Sequence, residues 1–255
     1  DNLDGEMHEY MIYLPLYDGI NWLQIGVDST AQLIQPQVDN PRSMGKIIIY
    51  GTSIQQGGCA SRTGMVPSAM IQRDFNLECV NLATSGQARM DFYIAEAMAS
   101  IEDAICYVID PVPNCTKDRC DTATYDFINI LRTLRPEVPI VMVEGLMYPY
   151  TRHDSYHAEY LPQKNECFRR GFDEHVAENP KGMYYMTHEG QTGPDMEGTV
   201  DGVHLTDYGF RAYADLLEIV VKEALDDTDV DYDVEPAYNV VRKKTFWQRL
   251  MDLFQ

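Results

Sequence analysis

Five short apolar runs alternate with longer amphipathic stretches from Lys46 onward. Each run is rich in Val, Ile, Met or Tyr, at residues 46–50, 78–82, 104–109, 138–143 and 182–186. Continuous apolar runs of this length are typical of strands buried on both faces. Helices are predicted between and after them, at about 64–75, 91–102, 119–135, 155–178 and 206–225. This alternation predicts a parallel sheet covered on both faces, and five strands suit a flavodoxin-like three-layer α/β/α sandwich.

The first 45 residues follow a different pattern. Residues 8–28 hold two aromatic and aliphatic runs on either side of an Asp18-Gly19 turn, which predicts a short β-hairpin appendage. An isolated hairpin is marginal in water, so this one must pack on the main body or belong to a larger β-domain. Residues 29–45 are mostly polar and are interpreted as a linker.

The last 30 residues also change character. An acidic stretch begins at Asp226, and the chain ends in a short segment with apolar residues at helical spacing. We therefore divide the chain into a hairpin and linker (1–45), an α/β domain (46–225), and an acidic linker with a C-terminal amphipathic helix (226–255).

Composition and charge narrow the function. Of 255 residues, 45% are hydrophobic, enough for one sizeable domain with appendages. The net charge of −20 repels phosphate backbones and anionic lipid headgroups, which argues against nucleic-acid binding and favours neutral or cationic substrates. No apolar run is long enough to predict a membrane span. The acidic, polar start leaves the compartment open, with a periplasmic or secreted location slightly favoured over the cytoplasm.

Six cysteines give little information on the redox compartment. Cys79 and Cys106 lie in predicted strands and are expected to be buried thiols. Cys115 and Cys120 are close in a loop-like stretch, so a small disulfide between them stays open. Because no CxxC pair exists, zinc-ribbon and thioredoxin-type sites have no support.

The first apolar run ends abruptly at Gly51-Thr52-Ser53. A glycine permits a sharp turn there, and open α/β sheets bind ligands at the carboxyl ends of their strands. Ser53 is therefore either a nucleophile or simply the cap of the helix that follows.

Two further features supply what a serine nucleophile needs. Asp201 and His204 lie three residues apart just before the last helix, where an imidazole could take the serine proton while the carboxylate holds the imidazole. Gly86 and Asn114 follow the second and third apolar runs, where a backbone N–H and a side-chain amide could stabilise an oxyanion. The alternative for both is an ordinary turn residue.

In this order and context, these residues resemble the SGNH hydrolases, also called the GDSL lipase/esterase family. Residues 51–62 resemble the elbow of a bacterial branch that often carries a preceding β-domain. The resemblance implies that Ser53 is the nucleophile, His204 the general base and Asp201 its orienting partner. It also implies an oxyanion hole formed by the N–H groups of Ser53 and Gly86 with the Asn114 side chain, and no cofactor or metal.

Three positions depart from the family pattern. Thr52 replaces the usual acid before the nucleophile, Asn114 follows Val-Pro rather than Gly-x, and Leu205 stands where proline often follows the histidine. The first departure bears on how the elbow is braced, the second on the geometry of the loop.

Other constellations are weaker. His153 and His157 have metal-like spacing but no evident third ligand, and the alternating aspartates of residues 227–233 lack the glycine and glutamate of a calcium loop. We expect a serine esterase that hydrolyses a carboxylic ester with a short acyl group, such as an acetylated carbohydrate. The alternatives are a non-catalytic carbohydrate-binding or assembly module with a relic site, and an acyltransferase with the same triad. The sequence leaves the oligomeric state open.

Overall fold

The computed structural model of the protein describes residues 5–36, 45–228 and 230. Within these residues, strands and α-helices alternate close to the predicted bounds. The strands are β1 (Lys46–Gly51), β2 (Glu78–Asn81), β3 (Ala104–Asp110), β4 (Ile140–Val143) and β5 (Met183–Met186). The helices are α1 (Ser53–Gln56), α2 (Pro67–Phe75), α3 (Phe92–Ala99), α4 (Lys117–Leu134), α5 (Ser155–Glu178) and α6 (Asp207–Asp226).

The five strands form one parallel sheet in the order β2-β1-β3-β4-β5. This order is the flavodoxin-like one, which confirms the predicted fold class. In the register, Ile49 lies opposite Asn81 and Gly51 lies opposite Asp110. The carboxyl ends of β1, β2 and β3 therefore meet at one edge of the sheet, where β1 turns into α1.

Alternate side chains of β1 enter two separate cores, because successive residues of a strand point to opposite faces. Ile47 and Ile49 pack in a cluster that includes residues of α2 and α6. Ile48 and Tyr50 pack in a second cluster that includes residues of α3, α4 and α5. All four side chains are buried, which explains why this strand is a continuous apolar run.

The predicted N-terminal hairpin is wrong in this structure: residues 5–36 contain no β-strand. The runs of residues 8–28 alternate as strands do, but a two-stranded ribbon on its own buries too little surface to be stable. Residues 13–17 instead contact the main body. The Gln56 side chain donates to the Leu16 carbonyl oxygen at 3.1 Å, and Arg73 donates to the Tyr13 hydroxyl at 2.8 Å.

The C-terminal prediction falls almost entirely outside the described residues. Helix α6 ends at Asp226, as the predicted domain boundary requires, and the segment predicted as an amphipathic helix is not described. In the part of the chain that is described, no helix combines the length and the apolarity required to cross a membrane.

Candidate active site

The turn after β1 places Ser53 at the start of α1. Thr52 is the N-cap of this helix, and its hydroxyl accepts a hydrogen bond from the Ile54 N–H at 3.4 Å. The cap is therefore provided by Thr52, which leaves the Ser53 hydroxyl available for another partner. As the first residue of the helix, Ser53 also has an N–H without an intrahelical acceptor.

The loop before α6 folds around Asp201. Its Oδ1 accepts hydrogen bonds from the N–H groups of Val203 and His204 at 2.9 and 2.7 Å, as in an Asx turn. Gly202 has a φ of +89°, a conformation that a residue with a Cβ rarely adopts. The stretch Asp-Gly-Val-His is thus a tight turn that holds the carboxylate and the imidazole side by side.

Ser53, His204 and Asp201 form one hydrogen-bonded chain. The Ser53 Oγ lies 2.9 Å from His204 Nε2, and His204 Nδ1 lies 2.7 Å from the Asp201 Oδ2. If Nδ1–H donates to the carboxylate, Nε2 is left to accept the serine proton, the tautomer that nucleophilic catalysis requires. The three side chains come from two loops separated by 151 positions of sequence.

The electrostatics fit this tautomer. The hydrogen bond from the His204 ring, followed by the backbone N–H groups of the turn, lowers the pKa of Asp201 to about 2. The carboxylate is therefore ionised at neutral pH. Ser53 is buried, whereas the side chain of His204 is 30% exposed and that of Asp201 is 49% exposed. Water can reach the imidazole.

Gly86 lies on the loop after β2, at the same edge of the sheet. The pairing of that loop with β1 continues past the strand, because the Thr84 N–H donates to the Gly51 oxygen at 2.9 Å. The Ser85 N–H donates to the Gln56 side chain of α1 at 2.7 Å. Gly86 has a φ of +72°, and no atom lies within 4 Å of where its Cβ would be. The loop is thus tied to the elbow and open at Gly86.

Asn114 ends a short 3₁₀ turn, Val112–Asn114, that follows β3. Its N–H donates to the Pro111 oxygen at 3.0 Å, so the Val-Pro departure produces an ordered turn. The side-chain oxygen Oδ1 is buried and has no hydrogen-bond partner among the described residues. Buried polar atoms are normally paired, so this amide has hydrogen-bonding capacity in reserve.

A buried polar cluster beneath the elbow was missed by the sequence analysis. The Asp110 Oδ2 accepts hydrogen bonds from the Tyr213 hydroxyl at 2.7 Å and from the Gln55 amide at 3.1 Å. Burial raises the pKa of Asp110 to about 7, and these two hydrogen bonds oppose the rise. The available signal was an aspartate at the end of an apolar strand, two residues after Val108, but nothing local indicates its partners.

Two groups of side chains have the composition of metal ligands. In one, potential ligand atoms of Cys59, Asp201 and His204 lie within 4.8 Å of one another; the other comprises Glu144, His188 and Glu189. In both groups a carboxylate and an imidazole already pair, and Glu144 accepts from the His188 ring at 2.7 Å. These pairs are satisfied as hydrogen-bonded ion pairs, so the geometry gives no reason to assign a resident metal.

The remaining sequence candidates have local roles. The His157 ring bonds to Asp154, the N-cap of α5, at 2.6 Å, which accounts for it without a metal. All six cysteines are free thiols, and Cys115 and Cys120 are buried with their sulfurs in a mutual hydrogen bond. The disulfide left open by the sequence is not formed here.

Sequence comparisons agree with this arrangement. The sequence model of the GDSL-like lipase/acylhydrolase family matches residues 44–222, about 70% of the chain. The chain belongs to this family. A second sequence model, for the N-terminus of esterases of the SGNH hydrolase type, matches residues 1–33. A search of curated protein sequences found no match.

Solved structures of family members share the fold. A protein from Bacteroides ovatus described as a GDSL-like lipase is 31% identical over 71% of this chain and 54% of its own, with a TM-score of 0.68. The salicylyl-acyltransferase SsfX3 of a tetracycline biosynthetic pathway is 17% identical over 80% of this chain and 60% of its own, with a TM-score of 0.62. A family two carbohydrate esterase from Clostridium thermocellum is 16% identical over 72% of this chain and 65% of its own, with a TM-score of 0.55. The chain therefore spans less than two thirds of the length of each.

Proposed function

We propose that the protein is a serine esterase that acts through an acyl-enzyme intermediate. The observation that carries this proposal is the hydrogen-bonded chain from Ser53 Oγ through His204 to the ionised Asp201. A serine hydroxyl is a weak nucleophile on its own, and an adjacent oriented base is the usual means of activating it. Family membership supports the same chemistry.

The steps follow from the positions of these groups. His204 Nε2 takes the Ser53 proton as Oγ attacks the ester carbonyl, and the resulting imidazolium is stabilised by Asp201. The negative oxygen of the tetrahedral intermediate would be held by the N–H groups of Ser53 and Gly86 and by the Asn114 amide. His204 then gives its proton to the leaving alcohol, and a water activated by the same imidazole releases the acid.

Hydrolysis is favoured over acyl transfer by the exposure of the base. The His204 side chain is 30% exposed, so bulk water has direct access to the group that would activate it. An acyltransferase has to exclude water from its acyl-enzyme, and no covering element contacts His204 on its exposed side in the described part of the chain. The test of this choice is the product ratio when an acceptor alcohol is added.

The substrate class that we propose is a short acyl ester, with acetylated carbohydrate as the leading example. Open surroundings at Gly86 and the partly exposed His204 suit a small acyl group on a bulky alcohol. The net charge of −20 disfavours anionic substrates. Carbohydrate esterases among the structural neighbours have the same fold, which supports the proposal without deciding it.

The chain contains a matched control for the catalytic test. His157 and Asp154 form a second Asp-x-x-His pair with the same ring contact, at 2.6 Å, but without a serine partner. With p-nitrophenyl acetate, Ser53→Ala and His204→Ala should lose at least about 1,000-fold in kcat, whereas His157→Ala should keep wild-type activity. Equal activity of the wild type and Ser53→Ala would refute the esterase. Absence of both hydrolysis and fluorophosphonate labelling, together with measurable glycan binding, would favour the non-catalytic module.

A further inference from the structure

The N-terminal arm, defined here as residues 5–36, reaches the active site. Its residues 13–17 are fixed on the main body by contacts with three different groups. The Thr63 hydroxyl donates to the Tyr13 oxygen at 3.4 Å, and Arg73 both donates to the Tyr13 hydroxyl and lies over its ring. Gln56 donates to the Leu16 oxygen at 3.1 Å. The next residue of the arm is Tyr17.

The Tyr17 hydroxyl lies beside the catalytic groups. A Cβ on Gly58 would lie 3.0 Å from the Tyr17 hydroxyl oxygen, 3.1 Å from His204 Cδ2 and 3.2 Å from the Ser53 carbonyl oxygen. These three groups therefore converge on one point, and the hydroxyl is at most about 6 Å from the imidazole. Only glycine fits at position 58, because the arm and the catalytic loop approach the elbow from opposite sides.

The hydroxyl is placed on the side of the leaving alcohol. Cδ2 is bonded to Nε2, the atom that returns a proton to the alcohol, so a group beside Cδ2 faces that part of the substrate. The Tyr17 hydroxyl is also hydrogen-bonded to the side chain of Ser85, the neighbour of Gly86. It thus lies between the proposed general base and the proposed oxyanion loop.

The chemistry of the site indicates what it binds. Burial of the hydroxyl raises the pKa of Tyr17, so it remains a donor at neutral pH, while the side chain as a whole is 56% exposed. A phenol with an accessible ring and a fixed hydroxyl suits a ligand that offers both apolar and hydroxyl surface. The Ser85 hydroxyl adds a second group that can donate or accept.

We infer that Tyr17, with Ser85, forms a subsite for the alcohol part of the ester, and that this subsite selects esters of hydroxylated alcohols such as sugars. This inference rests on the proposed esterase function. In it, Tyr17 is a binding residue supplied by the arm, and it has no part in activating Ser53.

The test compares two substrates in two variants. Tyr17→Phe removes only the hydroxyl, and Tyr10→Phe, on the same arm and 73% exposed, is the matched control. For a monoacetylated methyl glucoside, Tyr17→Phe should lower kcat/KM by about 3- to 10-fold, the size of one neutral hydrogen bond. For p-nitrophenyl acetate, whose leaving group offers no hydroxyls, kcat/KM should be unchanged. Tyr10→Phe should match the wild type with both substrates.

Each other outcome has a defined meaning. Equal losses with both substrates would show that Tyr17 acts through the catalytic groups or the fold, and no loss with either would show that it does not contact the alcohol; both overturn the subsite. A wild type that hydrolyses p-nitrophenyl acetate but not the acetylated glucoside overturns the subsite and leaves the esterase standing. A wild type that is not labelled at Ser53 by a fluorophosphonate overturns the esterase itself.

Discussion

Asp110 should make the protein less stable as the pH rises from 5 to 8. The carboxyl is fully buried under the elbow, where its Oδ2 accepts from Tyr213 and Gln55, and its pKa is about 7 in the folded protein against an ordinary value of 3.8. Between these two values the folded protein keeps a proton that the unfolded chain has released. Stability therefore falls as the pH rises through this range, and levels off above pH 7.

The size of the effect follows from the two pKa values. A tenfold change in the acid dissociation constant corresponds to about 1.4 kcal/mol, so the full cost above pH 7 is about 4 kcal/mol. Part of that cost is already present at pH 5, and the change between pH 5 and pH 8 is about 2 to 3 kcal/mol. Asp110→Asn keeps an acceptor for Tyr213 and Gln55 and cannot ionise, so it should remove this change.

Urea unfolding of the wild type and Asp110→Asn at pH 5, 6, 7 and 8 measures the difference. Glu218, whose pKa is also raised to about 7, chiefly by burial, contributes a slope of the same sign to both proteins, so only their difference reports Asp110. The free energy of unfolding of Asp110→Asn should gain about 2 to 3 kcal/mol on the wild type from pH 5 to pH 8. Parallel curves for the two proteins would refute the reasoning, because Asp110 would then be ionised in the folded state across the whole range.

Two further predictions concern the elbow. Thr52→Val removes the hydroxyl that caps α1 and should lower the free energy of unfolding by about 1 kcal/mol while kcat for p-nitrophenyl acetate stays within a few-fold; Thr52→Ser is the control, and a loss of kcat without a loss of stability would contradict a bracing role. Cys59 is exposed and within 4.8 Å of potential ligand atoms of Asp201 and His204, so its disulfide with thionitrobenzoate should block hydrolysis until dithiothreitol removes it. Cys59→Ser should be active and insensitive to the reagent, and inhibition of this variant at the wild-type rate would show that another thiol is responsible.

The sheet was predictable because its signal is local and continuous. A run such as Ile47 to Tyr50 is apolar at every position because each face of the strand meets a separate core. The same reasoning failed for residues 8–28, where alternating residues indicate a strand but the partner that would pair with it is not in the pattern. The contact of Tyr17 with the elbow had no local signal, because it is set by where the arm is fixed through Tyr13 and Leu16.

The roles in the candidate site depend on topology more than on motif. Asp154-x-x-His157 and Asp201-x-x-His204 have the same spacing and the same contact between ring and carboxylate, at 2.6 and 2.7 Å. In the first pair the carboxylate caps α5, whereas the second lies in the loop before α6, which crosses the edge of the sheet where β1 ends. Only there does Nε2 meet a serine, at 2.9 Å. Because both pairs satisfy the same local rule, the spacing alone could not distinguish them; the register that brings Gly51 to the carboxyl edge of the sheet does.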